Sequence, residues 1–150
     1  MKHIKGDALE WAAKEGYCMI HVCNNKSVMG SGVAKQVKAR FPRAFEAYWY
    51  NYRLGCVSRD PANNIINLVA QNGYGRVKRH LNYGALSECL HDFMVLYSNE
   101  YQDEDIHTVV VPYKMGSDRA GGDWEIVLEM VSFILEPVFE ILVVEWEDAR

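Results

Sequence analysis

The apolar positions of this chain follow two spacings that alternate along its length. Near-continuous apolar runs in EGYCMIHVCN, NNIINLVAQ, IHTVVVPY and PVFEILVVEW have the length of strands buried on both faces, and HIKGD reads as a shorter strand. Between the runs the spacing changes to three and four. Val33, Val37 and Phe41 repeat every four residues over 32–41, with charges between them. PRAFEAYWYNYRL starts a second helix with Pro42 near its first position, and its Phe45, Tyr48, Trp49 and Tyr52 form a stripe that reads as core. LNYGALSECLHDFMVLYSNEY carries the clearest helical pattern: Leu86, Cys89, Leu90, Phe93, Met94 and Tyr97 share one face. GGDWEIVLEMVSFIL gives a further helix, with Asp123 as its N-cap and Trp124, Val127, Leu128, Val131, Ile134 and Leu135 on one face. The tail EDAR is expected to fray. Strands alternating with helices, with apolar strand centres, predict an α/β fold on a mixed, largely parallel sheet.

Length and composition narrow the class. The 150 residues fit one domain over 1–150, and 49% hydrophobic with 24% charged residues is ordinary for a soluble protein. A net charge of −4 argues against a protein built chiefly to grip nucleic acid. Lys35, Lys38, Arg40 and Arg43, and then Arg76, Lys78, Arg79 and His80, are local basic groups that read as solvated faces. Cys18, Cys23, Cys56 and Cys89 show neither a C-x-x-C pair nor zinc-site spacing, so they read as reduced thiols with no metal site. The opening MKHIKGDALEW has no apolar signal core and no stretch has membrane-spanning length, which points to a cytoplasmic protein with no membrane partner. No cofactor motif is present. A monomer is expected.

Candidate chemistry lies in two loops. NNKSVMGSG (24–32) and KMGSDRAGG (114–122) each follow a strand and precede a helix. Glycine lets the backbone approach a ligand closely, and amides at a helix start hold phosphate. Two such loops could grip a diphosphate from both sides. The pattern is neither a Walker A loop nor a complete dinucleotide fingerprint.

KGDAL, CN followed by MGSGVA, RFPRAFEAY, INLVAQ, LNYGAL and AGGDWEIV together resemble the macro domain in its compact branch, over roughly residues 3 to 145. The resemblance implies a three-layer α/β/α fold and a small-molecule ligand, ADP-ribose or a derivative. It implies that Asp7, with Ala8 beside it, meets the adenine and that Asn24 meets the distal ribose. Gly30, Ser31, Gly32, Val33 and Ala34 match the first phosphate loop. Gly116, Ser117, Asp118, Arg119, Ala120, Gly121 and Gly122 match the second.

HVCN is similar to the fungal ADP-ribose-1″-phosphate phosphatases, which suggests His21, Asn24 and Asp118 as catalytic residues. The related glycohydrolases place a lysine just after the INL strand, where this chain has Gln71 and Asn72. Their second-loop aspartate aligns with Ala120. In the mechanism this suggests, His21 acts as acid or base, Asn24 orients the ribose, Asp118 or Asp123 positions water, and Arg119 offsets phosphate charge. Plainer readings stand beside these. His21 and Asn24, an odd number apart, face opposite sides of a regular strand unless it ends before Asn24. Asp123 reads first as a helix cap, and Cys23 as an inert thiol. Three functions follow: hydrolysis of ADP-ribose-1″-phosphate, non-catalytic ADP-ribose binding, or removal of ADP-ribose from protein or nucleic acid.

Overall fold

A computed structural model describes residues 1–74, 78–98 and 106–147. One six-stranded sheet organises them. The elements run β1 (Lys2–Gly6), α1 (Ala8–Ala12), β2 (Tyr17–Asn24), α2 (Gly32–Arg40), α3 (Pro42–Tyr50), β3 (Val57–Arg59), β4 (Ile65–Gln71), α4 (Tyr83–Ser98), β5 (Thr108–Pro112), α5 (Trp124–Leu135) and β6 (Glu140–Trp146). The strand order is β1-β6-β5-β2-β4-β3. Every pairing is parallel except that of the edge strand β3 with β4.

The period of two in the strands separates two cores. Cys18 and Ile20 of β2, Ile66 and Leu68 of β4, and Val109 and Val111 of β5 face α4 and α5. Met19 and Cys23 of β2, Ile65 and Val69 of β4, and Val110 of β5 face α1, α2 and α3. The result is three layers, α/β/α. Strand centres covered on both faces explain the continuous apolar runs in the sequence.

Two short elements, α1 and β3, carry no periodic signal. The five residues of α1 depend on a cap: Asp7 Oδ1 accepts from Leu9 N–H at 2.9 Å. The aromatic stripe of α3 departs from the core reading. Tyr48 is fully buried and Phe45 half-buried, whereas Trp49 is 51% exposed and Tyr52, beyond the helix end, is 43% exposed. Only Ala44 and Tyr48, four residues apart, are fully buried, with Phe45 packed beside them, because this nine-residue helix covers the sheet along a narrow line. Tyr101 at the end of the long helical reading, Arg76 in the basic loop and residues 148–150 of the tail lie outside the described residues. Among the described residues, no helix is long and apolar enough to cross a membrane, and no group of three His, Cys, Asp or Glu could hold a metal ion.

The strand order fixes where a ligand can sit. The chain leaves β2 toward β4 on one side and leaves β5 toward β6 on the other, and β2 and β5 are neighbours. Connections that diverge from adjacent parallel strands open a crevice at the strands' carboxyl ends. Both glycine loops begin there.

Candidate functional site

A cleft of about 610 Å³ opens between the two loops. Asn24, Gly30, Ser31, Gly32, Val33 and Ala34 line it from the first loop. Gly116, Asp118, Arg119 and Ala120 line it from the second, and Gln71 closes the end of β4. Asp7, Ala8, Ser117, Gly121 and Gly122 are not among its lining residues.

The first loop is open where a ligand would need it. Gly32 has φ +60°, and a Cβ there would meet nothing within 4 Å. Ser31, the N-cap of α2, makes no side-chain capping bond, and the first turn holds no acidic residue. The first amides of a helix have no partner within it, and the helix dipole favours an anion there. The N-terminus of α2 therefore offers donors and a positive field to the cleft.

Hydrogen bonds away from the cleft fix that loop. The Tyr48 hydroxyl, on α3, accepts from Val28 N–H at 3.0 Å and donates to Asn24, whose backbone oxygen is at 2.7 Å and Oδ1 at 2.8 Å. Asn24 Oδ1 also accepts from Lys26 N–H at 2.9 Å, and its Nδ2 donates to Val28 O at 2.8 Å. Asn24 thus folds the turn that presents Gly30 to Gly32, besides facing the cleft itself.

The second loop uses its glycines differently. A Cβ on Gly122 would stand 2.3 Å from Leu81 Cδ2 and 2.6 Å from Gly116 O. That close packing against the strand-like segment before α4 leaves no room for any side chain. Gly122 N–H donates to Gly116 O at 3.0 Å, and Ala120 O accepts from His80 and Leu81. Gly121 and Gly122, expected to contact a ligand, close the loop and are not among the residues that line the cleft. Asp118 and Arg119 are exposed at the cleft.

The structure places the other sequence-derived residues as well. Asp123 caps α5, with Oδ1 accepting from Glu125 N–H at 2.9 Å. Asp7 caps α1 and pairs with Arg40 Nη1 at 2.7 Å. His21 borders the cleft but is 2% exposed. Asn67 Nδ2 donates to Ala44 O and Ser58 Oγ, so its Oδ1 must accept, and His21 Nε2–H donates to it at 2.7 Å. Burial lowers the imidazole from 6.5 to about 4, against the opposing effect of its hydrogen bond to Asn67. A neutral, anchored His21 has no proton to give as an acid near neutral pH, which weighs against that half of its expected role. The register shift between Cys23 and Asn24 does break the strand alternation there, yet no hydrogen bond joins His21 to Asn24. Burial also raises the Cys23 thiol well above its usual value, leaving it protonated and inert.

Tyr74, Tyr113 and Trp146 line the cleft without having been singled out in the sequence. Trp146 had only its place at the end of the last strand to mark it. Tyr113 and Lys114 directly follow β5, a position that could have signalled them.

No family model matches the chain. An uncharacterised 17.5 kDa protein of the tk-vs intergenic region of Enterobacteria phage T4 is 29% identical over 161 residues, spanning 98% of this chain and 97% of its own. Among solved structures, a macrodomain protein from Streptomyces coelicolor superposes with a TM-score of 0.74 at 22% identity, covering 95% of this chain and 97% of its own. Thermosipho africanus DarTG, solved in complex with ADP-ribose, gives 0.70 at 16% identity and covers all of this chain; the match spans 43% of the DarTG chain.

Proposed function

We propose that this chain, which has the macrodomain fold, uses its loop-lined cleft to bind ADP-ribose. The observation that carries the reading is the open N-terminus of α2, with its free-standing Gly32, facing the second loop across one cleft at the sheet's switch point. Backbone amides at the N-terminus of α2 suit a diphosphate, and Thermosipho africanus DarTG, part of whose chain superposes on this one, was solved in complex with ADP-ribose. In this reading residues 1–150 act as one macrodomain, monomeric and cytoplasmic, and Asn24 lies at the distal ribose.

The finer proposal is hydrolysis of ADP-ribose-1″-phosphate to ADP-ribose and phosphate. Asp118 would position the attacking water, Asn24 would orient the ribose, and Arg119 would offset phosphate charge. Gln71, whose Nε2 donates to Gly73 O at 3.0 Å, stands where glycohydrolase relatives carry a lysine, so lysine-dependent removal of ADP-ribose is not supported. A non-catalytic ADP-ribose module is the second reading, favoured by the neutral, anchored His21.

Calorimetric titration with ADP-ribose, followed by a phosphate-release assay on ADP-ribose-1″-phosphate, separates these readings. Saturable binding with release that disappears in Asp118→Asn is the expected result. Binding without release leaves the module. No binding removes the ADP-ribose reading altogether.

A further inference from the structure

The outer face of α2 and α3 carries aromatic rings that the core does not require. Ala44 and Tyr48 meet the sheet, with Phe45 half-buried beside them. Trp49, Tyr50 and Tyr52 stand largely in solvent, Tyr50 at 73% exposure. Folding alone gives no reason for three large rings to be exposed within four residues of chain, and such a surface marks a contact with something else.

The same face is basic. Residues 32–53 hold Lys35, Lys38, Arg40, Arg43 and Arg53 against a single carboxylate, Glu46, in a chain whose net charge is −4. Arg40 is paired with Asp7. Lys35, Lys38, Arg43 and Arg53 are exposed and enter no ion pair among the described residues. Cations and rings lie side by side. Lys35 and Lys38, three apart, share a side of α2. Lys38 Nζ stands 4.4 Å from the centre of the Phe45 ring, which joins that side of α2 to α3. Phe45 and Trp49, four apart, are neighbours along α3, and the Trp49 and Tyr50 rings meet edge to face at 5.6 Å. Arg43 lies two turns before Tyr50 on one face of α3, and Tyr52 and Arg53 follow just beyond the helix end. None of these residues lines the cleft.

We propose that this face binds single-stranded nucleic acid, with bases stacked on Trp49, Tyr50 and Tyr52 and phosphates held by the flanking lysines and arginines. Flat π faces beside cations suit a polymer that alternates bases with phosphates. A duplex hides its base faces and would use only the cations. An acidic peptide would also use only the cations and leave the rings without partners. The negative charge of the rest of the chain confines the interaction to this face, and four free cations make it strongly salt-dependent. The inference is independent of what the cleft binds.

The test titrates the whole chain into fluorescently labelled oligothymidylate and oligouridylate of about fifteen nucleotides, and into a duplex of equal length, followed by anisotropy. Saturable single-strand binding at about 50 mM salt is expected, at least about tenfold tighter than duplex binding, with log affinity falling against log salt at a slope of up to about −2.8 for four phosphate contacts. The preference between the two single strands tells DNA from RNA. Trp49→Ala with Tyr50→Ala should weaken single-strand binding at least about tenfold and leave the slope unchanged. Lys38→Gln with Arg43→Gln should weaken binding and flatten the slope by about 1.4. All four side chains are exposed, so wild-type-like thermal melts report that both variants are folded. Absence of single-strand binding, equal binding to the duplex, or binding that survives loss of both rings overturns the proposal. Displacement by polyglutamate as effective as by unlabelled single strand also overturns it, and would put an acidic protein segment on this face instead.

Discussion

Tyr48 shows how one side chain governs a loop it does not belong to. Its ring is fully buried under α3, and its hydroxyl reaches both ends of the turn from Asn24 to Val28. Tyr48→Phe keeps the ring and removes only the oxygen. The Val28 N–H then loses its acceptor and Asn24 O its hydroxyl donor, at a cost of ~0.5–1.5 kcal/mol for partly exposed groups. Because the ring still fills its space, the loss should fall on the loop and not on the core. ADP-ribose affinity should drop by about tenfold, and amide exchange at Val28 should quicken in the ligand-free protein. Exchange and affinity both at wild-type values would show that the loop holds its shape without this hydroxyl.

The strand β2 carries the sharpest contrast between what its sequence announces and what it does. Its burial, direction and exit into Asn24 were all legible, because eight mostly apolar residues between Gly16 and a polar loop leave few alternatives. The role of His21 was not legible, since it depends on Asn67, forty-six residues away and paired to it only by the β2–β4 register. Long-range partners leave no local pattern, and the same reason hid the Tyr48 latch and the packing need for Gly122. The second loop's glycines looked equivalent to the first's because glycine marks both open approach and tight packing. Burying His21 neutral has a consequence for the element. Its titration falls from 6.5 when unfolded to about 4 when folded, so the unfolded chain binds more protons between those values. Stability is then full above pH 6.5 and declines as pH falls toward 4, by up to ~3 kcal/mol for this one group. Denaturant melts at stepped pH should show that slope in wild-type protein and a shallower one in His21→Gln. An unchanged slope would place the acid sensitivity in other groups.

At the scale of the whole molecule, the sheet order matters more than either loop. Two glycine loops ninety residues apart in sequence become opposite walls because β2 and β5 are neighbours whose connections diverge. The N-terminus of α2 and the second loop then face one space. A ligand that bridges both walls ties the two halves of the sheet together, and its binding energy adds to folding stability. At about a hundred times its dissociation constant it should contribute ~2.7 kcal/mol. For a chain of this size that raises the melting midpoint by about 5–10 °C. Gly32→Glu separates binding from folding. A side chain there meets open space, and its positive φ costs ~1–2 kcal/mol, offset in part by a carboxylate at a helix N-terminus. The variant should therefore melt within several degrees of the wild-type protein, yet gain nothing from ADP-ribose, because its carboxylate occupies the place of the diphosphate. A full ligand-induced shift in this variant would mean that ADP-ribose binds without using the N-terminus of α2, and the first loop would have to be read as a turn and no more.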